Sequence, residues 1–579
     1  MSNFYTDNPD LAGKLDTLDL ARIVALREDD YAQARDFTYA PRDYEDALDS
    51  YRRSLEIAGD IAGEFVAPRA EDVDREGSTL VDGEVRYAKG ISEALERLTQ
   101  ADLMGITLPR RYGGLNFPVT VSVMIVEMIS RADPALMNIF GLQDIAETVN
   151  SFASDEMKRA YLPSFASGEV TGSMALTEPE AGSDLQNVQL KATQADDGTW
   201  RLNGVKRFIT NGCGTISLVL ARSEEGTTDA RGLSMFLYER DRHMKIRRLE
   251  DKLGIHGSPT CELQFTDAPA LLIGERRRGL TTYVMSLMNG ARLAVAAQAQ
   301  GIAEAAYRAA SKYADERIQF GGPIRDLTAV AAMLADMKVA IEASRALLYE
   351  TAMIVDMKDG LERRVAQLSS GERAPAGEDE TRKLRAELKR YNRLAALFTP
   401  LSKACSTEMA NTVTYDSLQI HGGSGYMRDF AVERHARDAR ITNIYEGTTQ
   451  LQVVAAIGGV LSGSMDGRLD EYDAWGLAAT PELLSRVRRA RERWKAAVAH
   501  VREADDALFR DFHARRLVEM AIDIAGAYLL LREAQSDARK LLVAEYFADG
   551  MTGRVEGAAA AVLGGTPASI DALQALGRD

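Results

Sequence analysis

A single glutamate lies in the one stretch of the chain whose residue types suit removal of a proton. Glu446 is part of the run Ile444–Gln450, in which Gly447 lets the backbone approach a ligand closely. Thr448 and Gln450 can form hydrogen bonds with polar ligand atoms. A carboxylate among apolar neighbours has a raised pKa, which suits a general base working near neutral pH. The same residues also fit a surface turn that carries an ordinary glutamate.

A second stretch combines a strand end with hydroxyl groups and a bend. It spans Met174–Asp184, with hydroxyls at Thr177 and Ser183 and a change of direction set by Pro179 and Gly182. Such a stretch could present polar atoms to a flat ligand. It also fits an ordinary exit from a strand into a loop.

Two further stretches place an aromatic ring or a cation beside glycine. In Lys206–Gly212, Phe208 could cover one face of a ring without hydrogen bonding, and Thr210 offers a hydroxyl. In Glu316–Gly321, Arg317 could bind a phosphate through charge-assisted bonds. The alternatives are a core phenylalanine beside a turn and an arginine that neutralises a helix dipole.

Taken together, these stretches resemble the acyl-CoA dehydrogenase family. The matching motifs run from about Leu103 to Gln452 and occur in the family's order. The length of the chain, with added segments at both ends, resembles the large members of the 3-methylmercaptopropionyl-CoA dehydrogenase type. In this family, the glutamate of the Tyr-Glu-Gly-Thr motif removes the α-proton of an acyl-CoA while FAD accepts a hydride from the β-carbon. The resemblance therefore implies an FAD-dependent enzyme that forms trans-2-enoyl-CoA, with Glu446 as base and electron-transferring flavoprotein as electron acceptor.

The resemblance also implies a role for each matching residue. The implied FAD contacts are Met174, Leu176 (main chain), Thr177, Phe208, Thr210, Arg317, Gln319, Phe320, Gln419, Gly422, Gly423, Thr448 and Gln450. The implied acyl-CoA contacts are Ser183, Arg292 and Gly447, and no metal is expected. In relatives the segment matching Arg317 reaches the FAD of a neighbouring subunit. A homo-oligomer is therefore expected, with a dimer favoured over a tetramer.

Some positions depart from the family pattern. Met174 stands where tyrosine is common, Glu180 where glycine is common, and Phe208 where tryptophan is frequent. Asn289 replaces a common aspartate. Some relatives carry the base at the position matching Ala291, which cannot act as one here, so Glu446 is the sole candidate.

Composition and charge limit the classes of protein that this chain fits. The formal charge of −16 and pI of about 5.1 disfavour a role in binding nucleic acid or an anionic membrane. No run of about 18 apolar residues is present, and the N-terminal residues do not resemble a signal peptide, so a cytoplasmic protein is expected.

Cys213, Cys261 and Cys405 show no metal-binding spacing, and Cys213 is interpreted as a small buried hydrophobe without a disulfide. No GxGxxG opens a βαβ unit, so FAD is not expected in a Rossmann domain.

The pattern along the chain predicts an α+β, mostly α fold with the acyl-CoA dehydrogenase arrangement and a C-terminal helical extension. Apolar residues at helical spacing predict helices near Tyr44–Pro68, Gly90–Ala101 and Thr120–Ser130. Short apolar runs between turn signals predict a β-barrel-like domain, and the short connections predict that it closes with antiparallel strands. A four-helix bundle follows. The predicted units are 1–40 (arm), 41–171 (helical), 172–278 (β), 279–462 (bundle) and 463–579 (extension).

Several local predictions are specific enough to be tested. Asn203-Gly204 predicts a tight turn, and the bundle is predicted to contain separate helices at Arg382–Leu397 and Leu401–Tyr415. The Gly/Ser/Asp-rich stretch Ser462–Asp470 is interpreted as a linker, followed by a helix with Thr480 as N-cap. The apolar face predicted for the extension is Val487, Trp494, Val498, Val501, Leu508 and Phe512, and an arginine-rich face comprises Arg486, Arg488, Arg489, Arg491 and Arg493. That arginine-rich face is interpreted as a solvated helix face, with membrane phosphates as the alternative.

Two other functions stay open at this point. An acyl-CoA oxidase would share the flavin and the base but pass electrons to O₂, and peroxide formation distinguishes it. A non-catalytic, nucleic-acid-binding relative would need a strongly basic face, which the acidic balance and Glu446 disfavour. The acyl group itself, whether long, branched or sulfur-containing, is not indicated by any motif.

Overall fold

The chain divides into two compact units in a computed structural model that describes residues 2–371, 377–477, 480–568 and 570. Unit 1 comprises Met1–Ala305 and Met427–Ile441, and unit 2 comprises Ala306–Tyr426 and Thr442–Asp579. The fold is mostly helical α+β, with a barrel-like β-domain and a C-terminal helical extension, as predicted. The charged run 371–380 is typical of a surface loop between helices. Residues 372–376 of this run lie outside the described residues, whereas residues 378–380 are helical, so the prediction of a loop was wrong there.

Helices account for most of the described residues. In chain order they are α1 (Pro9–Ala12), α2 (Lys14–Thr17), α3 (Ala21–Arg27), α4 (Tyr44–Asp60), α5 (Ala70–Glu76), α6 (Lys89–Gln100), α7 (Val119–Ala132), α8 (Pro134–Gly141), α9 (Ile145–Phe152), α10 (Asp155–Ala166), α11 (Met285–Glu316), α12 (Thr328–Ser370), α13 (Glu378–His421), α14 (Val432–Arg440), α15 (Thr449–Leu461), α16 (Ser464–Asp473), α17 (Pro481–Ala504), α18 (Ala507–Glu533) and α19 (Ala538–Leu563). No helix among the described residues combines the length and apolar character needed to cross a membrane.

The strands form one large sheet and two small hairpins. They are β1 (Thr79–Val81), β2 (Glu84–Arg86), β3 (Gly172–Ala175), β4 (Lys191–Gln194), β5 (Trp200–Thr210), β6 (Ile216–Arg222), β7 (Leu233–Glu239), β8 (Met244–Leu249), β9 (Thr260–Leu272), β10 (Ile318–Gln319) and β11 (Gly322–Pro323). The large sheet has the order β3-β6-β4-β5-β9-β7, β8 also pairs with β9, and the pairing of β6 with β7 closes a ring. Apolar side chains of β5, β6, β7 and β9 fill the core of this barrel-like ring.

The predicted helices of unit 1 are confirmed with small shifts at their ends. The residues predicted to form the buried face of α4 are all buried: Ala47, Leu48, Tyr51, Leu55 and Ala58. The predicted N-terminal arm packs on the body of unit 1, because Leu15, Leu20 and Val24 are buried and Arg131 pairs with Asp7. The arm is therefore part of the core of this unit.

Two details of the β-domain differ from the prediction. Asn203-Gly204 makes no turn: it lies inside β5 at a bulge, where Gly204 has φ +144° and its Cα region packs against Leu190. Only glycine allows this approach, so the glycine marks a bulge in the strand. The closure is also not purely antiparallel, because β3 pairs with β6 in parallel.

Unit 2 contains the bundle helices together with the C-terminal extension. The two helices predicted around Pro400 form one continuous helix, α13, because Phe398 and Leu401 are fully buried on either side of the proline. Tertiary packing therefore overrides the break that proline favours. Most of the predicted linker forms helix α16, whose Met465, Leu469 and Tyr472 are fully buried.

The extension confirms the predicted start of α17 and corrects its details. Pro481 is the first residue of α17 and Thr480 is its N-cap, but the Thr480 hydroxyl makes no hydrogen bond within the described part of the chain. Leu508 and Phe512 belong to the next helix and are 52% and 39% exposed, so they lie outside the apolar face. The interpretation that they continue the face of α17 was wrong because Asp505 has left-handed backbone (φ +44°) and ends that helix.

The arginine-rich face of α17 is bound by carboxylates of unit 2 itself. Arg488 pairs with Asp473 at 2.8 Å, Arg493 pairs with Glu556 at 2.9 Å, and Arg486 pairs with Asp549. Arg491 contacts Asp466 and Asp470. These ion pairs join α17 to α16 and α19. Four of the five arginines of this face therefore have carboxylate partners within unit 2.

Candidate active site

The turn that carries Glu446 has an unusual backbone. Glu446 has φ +54° and Gly447 has φ +88°, so two consecutive residues adopt left-handed conformations. Such a conformation costs a non-glycine residue about 1 kcal/mol or more and persists only where the surroundings fix it. The Glu446 side chain is half-buried in unit 2, less buried than the apolar setting of the motif predicts.

Two buried side chains fix the carbonyl groups of this turn. Lys403, fully buried on α13, donates from Nζ to the carbonyl oxygen of Tyr445 at 2.6 Å and also to that of Gly447. Gln452, fully buried on α15, donates from Nε2 to the carbonyl oxygens of Gly447 at 2.8 Å and Glu446 at 3.3 Å. Three successive carbonyl groups are therefore oriented from two helices.

A third side chain, that of Glu408, binds the residues that flank the turn. Glu408 on α13 accepts from the Thr449 hydroxyl at 2.6 Å and from Asn443 Nδ2 at 3.2 Å. The Thr449 N–H donates to the Asn443 carbonyl at 3.1 Å. Lys403, Glu408 and Gln452 were not predicted from the sequence. A lysine within the apolar and small-residue run around position 403 was the one signal available.

Lys403→Met should slow the reductive half-reaction without abolishing FAD binding. Loss of the ammonium leaves two carbonyls without this donor, and a shift of the Glu446 turn by about 1 Å costs on the order of 100-fold in rate. The measurement is anaerobic flavin reduction at saturating acyl-CoA, which reports the folded enzyme only. Ser402→Ala, also buried on α13, is the matched control and should stay within about twofold of wild type. An unchanged rate in Lys403→Met would show that the turn does not need this lysine.

The other residues predicted in unit 2 lie at its surface in two neighbouring places. Arg317, Gln319 and Phe320 are exposed in the β10–β11 hairpin, and Phe320 is 93% exposed. At the end of α11, Tyr313 stacks on His421 with 4.3 Å between ring centroids and donates to Ser424 Oγ at 3.3 Å. The hairpin therefore begins beside the turn that carries the exposed residues Gln419, Gly422 and Gly423.

Thr448 and Gln450 lie at the start of α15. The Thr448 hydroxyl accepts from the Leu451 N–H at 3.4 Å and caps the helix, so it has a structural role besides the predicted ligand contact. Gln450 is exposed on the first turn. Both residues follow the Glu446 turn directly.

In unit 1, the two segments predicted to contact the flavin lie side by side. The Thr177 carbonyl accepts from the Arg207 N–H at 3.0 Å, and the Leu176 carbonyl accepts from Lys206 Nζ at 2.7 Å. Met174, Thr177 and Thr210 are half-buried and Leu176 is buried. The structure thus brings this part of the predicted site together.

A buried ion pair joins these two segments. Lys206 is fully buried, and its Nζ lies 2.9 Å from Glu178 Oε1. The Glu178 carboxylate also accepts from the N–H groups of Gln189 at 2.7 Å and Leu190 at 2.9 Å. Burial lowers the pKa of Lys206 from 10.5 to about 8, and Glu178 opposes this shift, so the ammonium is charged at pH 7.

Phe208 is displayed at the surface of unit 1. It has φ +62°, is 49% exposed, and the Arg207 guanidinium carbon lies 4.7 Å from the centre of its ring. Arg207 is held by Glu250 at 2.9 Å. The alternative of a core phenylalanine is therefore excluded, and the ring is available to cover a flat ligand.

The two residues predicted in unit 1 to bind acyl-CoA lie in different settings. Ser183 is exposed on the loop that follows the Glu178–Ala181 bridge. Arg292 is 9% exposed on α11, where its Nη1 donates to Asn289 Oδ1 at 3.2 Å. The asparagine that replaces the family's aspartate therefore still contacts this arginine.

The residues present fit FAD. Unit 1 offers an exposed aromatic ring and the half-buried hydroxyls of Thr177 and Thr210. Unit 2 offers an exposed arginine beside Gly422 and Gly423, and Cβ atoms built there would meet no atom within 4 Å. Gly422 also has φ +59° and ψ −138°, a conformation essentially restricted to glycine. Aromatic cover, hydroxyl donors, a cation and open backbone match the isoalloxazine and pyrophosphate groups.

Four family profiles match successive parts of this chain. The acyl-CoA dehydrogenase N-terminal domain matches residues 50–169, the middle domain 173–268, and the C-terminal domain 278–372 and 385–457. A further profile, acyl-CoA dehydrogenase C terminal, matches residues 462–547. The last match lies mostly in the helical extension.

Similar proteins and solved structures agree with these profiles. The chain is 33% identical over 487 residues to 3-methylmercaptopropionyl-CoA dehydrogenase of Ruegeria pomeroyi, covering 79% of this chain and 78% of that protein. Butyryl-CoA dehydrogenase from Megasphaera elsdenii superposes with a TM-score of 0.60 at 31% identity, covering 71% of this chain and 98% of that one. Acyl-CoA dehydrogenase complexed with FAD from Bacillus anthracis shares the fold with a TM-score of 0.72 at 24% identity, over 89% and 88% of the two chains. The chain therefore belongs to the acyl-CoA dehydrogenase family and is an acyl-CoA dehydrogenase that carries an extra C-terminal domain.

Proposed function

We propose that this enzyme removes the α and β hydrogens of an acyl-CoA thioester to give trans-2-enoyl-CoA, with Glu446 as the base. The observation that carries the proposal is the Glu446 turn, whose left-handed backbone is fixed by Lys403 and Gln452. A carboxylate held in one orientation on a rigid turn suits proton removal from a bound substrate. Bound FAD supplies the hydride acceptor, N5 of the flavin.

The α-proton beside a thioester is a very weak acid, so the site must stabilise negative charge on the thioester oxygen as the proton leaves. The main-chain N–H of Glu446 is the donor that this chain provides for that oxygen. A preorganised donor of this kind contributes about 3–4 kcal/mol to the transition state. Because Lys403 and Gln452 fix the flanking carbonyls, they also fix the direction of this N–H.

The experiment that tests this function is anaerobic bleaching of the flavin by a panel of acyl-CoA thioesters. The panel should include short straight, branched and long chains, together with 3-methylmercaptopropionyl-CoA, the compound named for the Ruegeria relative. Loss of flavin colour with formation of the trans-2-enoyl product supports the proposal. A flavin that no thioester reduces would contradict it.

We also propose that electrons leave to electron-transferring flavoprotein. The support is the family's chemistry, in which this flavoprotein is the acceptor. Turnover that requires electron-transferring flavoprotein and forms little peroxide would support this proposal. Stoichiometric peroxide in air would instead identify an oxidase.

The enzyme should be a homodimer that shares residues between its FAD sites. Ile318 is 55% exposed and Phe320 is 93% exposed beside Arg317, an unusual display of apolar side chains on a small hairpin. Light scattering should give twice the chain mass of 63.3 kDa, and Phe320→Ser should weaken FAD retention. Leu542→Ser, at a side chain that is 68% exposed on α19, is the matched control and should retain FAD as wild type does. A monomer with full FAD and activity would contradict the proposal.

A further inference from the structure

Two cysteines that are 48 positions apart in sequence meet in the β-domain of unit 1. Cys261 is fully buried on β9, and Cys213 is half-buried in the turn between β5 and β6. A Cβ added at Gly212, next to Cys213, would stand 2.8 Å from the Cβ of Cys261, so this turn lies directly on the buried cysteine. Cys213 also packs against the apolar cluster that contains Cys261.

The surroundings differ between the two sulfurs. Cys261 is fully buried in the apolar core of the β-domain. The Cys213 thiol lies 3.5 Å from the Tyr87 hydroxyl and 3.5 Å from Asn211 Oδ1. Asn211 is itself fixed, because it accepts from Tyr87 at 2.5 Å and donates to the Gly172 carbonyl at 2.9 Å. The pair is thus held in a rigid hydrogen-bonded frame.

Cys213 is the member of the pair that solvent can reach. It lines a surface cavity of about 640 Å³. The charged residues that line this cavity are Arg240, Arg242, Lys245, Asp82, Glu84 and Asp241. Arg240 also donates to the Cys213 carbonyl at 3.2 Å. The neighbouring Cys261 thiol lowers the pKa of Cys213, whereas the Cys213 thiol and burial raise the pKa of Cys261, so Cys213 is the more acidic thiol.

We propose that Cys213 and Cys261 form a peroxide-sensitive dithiol, in which Cys213 reacts with hydroperoxides and Cys261 resolves the product to a disulfide. This assignment replaces the interpretation of Cys213 as a small buried hydrophobe. It is independent of the catalytic role of Glu446, so either can fail alone. The sequence did not indicate it because the pair has no CxxC spacing.

The chemistry balances with one peroxide per disulfide. The Cys213 thiolate attacks the peroxide oxygen, the O–O bond breaks, and the leaving hydroxide or alkoxide takes up a proton, which leaves a sulfenic acid. The Cys261 thiol then attacks the Cys213 sulfur, and the hydroxide that leaves takes the Cys261 proton to form water. Two thiols are oxidised, and one peroxide is reduced to two molecules of water or to an alcohol and water.

The test uses the full-length enzyme with FAD bound. After treatment with hydrogen peroxide and alkylation, peptide mass spectrometry should find Cys213 linked to Cys261, with Cys405 still alkylated and the link reversed by dithiothreitol. The linked pair should form roughly tenfold faster than Cys405 oxidises, because thiolate character and access favour Cys213. Free Cys213 and Cys261 after Cys405 has reacted would overturn the proposal.

Single variants separate the two roles. Cys261→Ser should leave a sulfenic acid at Cys213 that dimedone traps, whereas Cys213→Ser should form neither disulfide nor sulfenic acid at this site. Cys405→Ser is the control and should form the Cys213–Cys261 disulfide at the wild-type rate. Dimedone labelling at Cys261 in Cys213→Ser, at the wild-type rate, would overturn the assignment of Cys213 as the reacting thiol. If a serine variant does not fold, the linked peptide in wild type still decides whether the disulfide forms.

Discussion

Glu446→Gln should bind FAD and acyl-CoA and lose nearly all dehydrogenation. Glutamine has almost the same volume and keeps the hydrogen-bonding capacity, so the turn held by Lys403 and Gln452 should keep its shape. It cannot accept a proton as a carboxylate does. Loss of a general base costs roughly 10²–10⁴-fold. Because Ala291 offers no second base, the effect should lie at the upper end of this range or beyond.

The measurement is stopped-flow reduction of the flavin without oxygen, with thioester affinity determined separately by titration. Glu482→Gln carries the same chemical change on the exposed first turn of α17 and should react like wild type. If Glu446→Gln reduces its flavin within about tenfold of wild type, another residue is the base. Weaker thioester binding with an unchanged limiting rate would also contradict the proposed role.

Lys206→Met should destabilise unit 1 by about 3–5 kcal/mol. The substitution leaves the Glu178 carboxylate buried without its cation, and breaking a buried pair from one side has a cost of this size. The double variant with Glu178→Gln should recover part of the loss, since the neutral amide can still accept one of the two N–H bonds. Calorimetry at fixed excess FAD is the measurement, because bound cofactor adds to apparent stability.

The pH dependence of the free energy of unfolding independently tests the contribution of buried Lys206. Burial lowers its pKa from 10.5 to about 8 in the folded chain, so between these values the unfolded chain keeps a proton that the folded chain has released. The contribution of Lys206 to the free energy of unfolding therefore rises with pH across that window. In Lys206→Met this rise should disappear. Equal pH profiles, or a single variant as stable as the double variant, would show that the pair is not coupled as described.

Motifs indicated the proposed base, Glu446, and the segments around it, but not the residues that hold them. Glu446 and Phe208 were identified because their own side chains match a chemical task. Lys403 binds main-chain carbonyls from α13, 42 and 44 residues earlier in the chain, whereas Gln452 binds them from α15, five and six residues later. No local pattern around Glu446 encodes the contact with Lys403, so only the folded chain reveals it. Gln452 lies close in sequence but was missed because its side chain binds the main chain and matches no chemical task of its own.

The predicted ends of helices were wrong where the packing of buried side chains outweighed the local preference of the sequence for a break. Pro400 and the Gly/Ser/Asp-rich stretch near Ser462 both favour a break, yet α13 and α16 are helical because buried side chains there contribute more than the local cost. The turn predicted at Asn203-Gly204 was also wrong, since this dipeptide, although typical of turns, lies at a bulge inside β5. Burial on both sides of a residue decides these cases, and burial depends on distant parts of the chain.

The helices of the extension share one hydrophobic core with the bundle, and this affects how the protein is made. Leu347 of α12 and Phe398 of α13 belong to the same cluster as Tyr528 of α18 and Val562 of α19. Domains generally fold as they leave the ribosome, N-terminal part first. Unit 2 cannot follow that order to completion, because the partners of its earliest helices are translated last. Part of the apolar surface of α12 and α13 therefore stays uncovered during synthesis until α18 and α19 have left the ribosome.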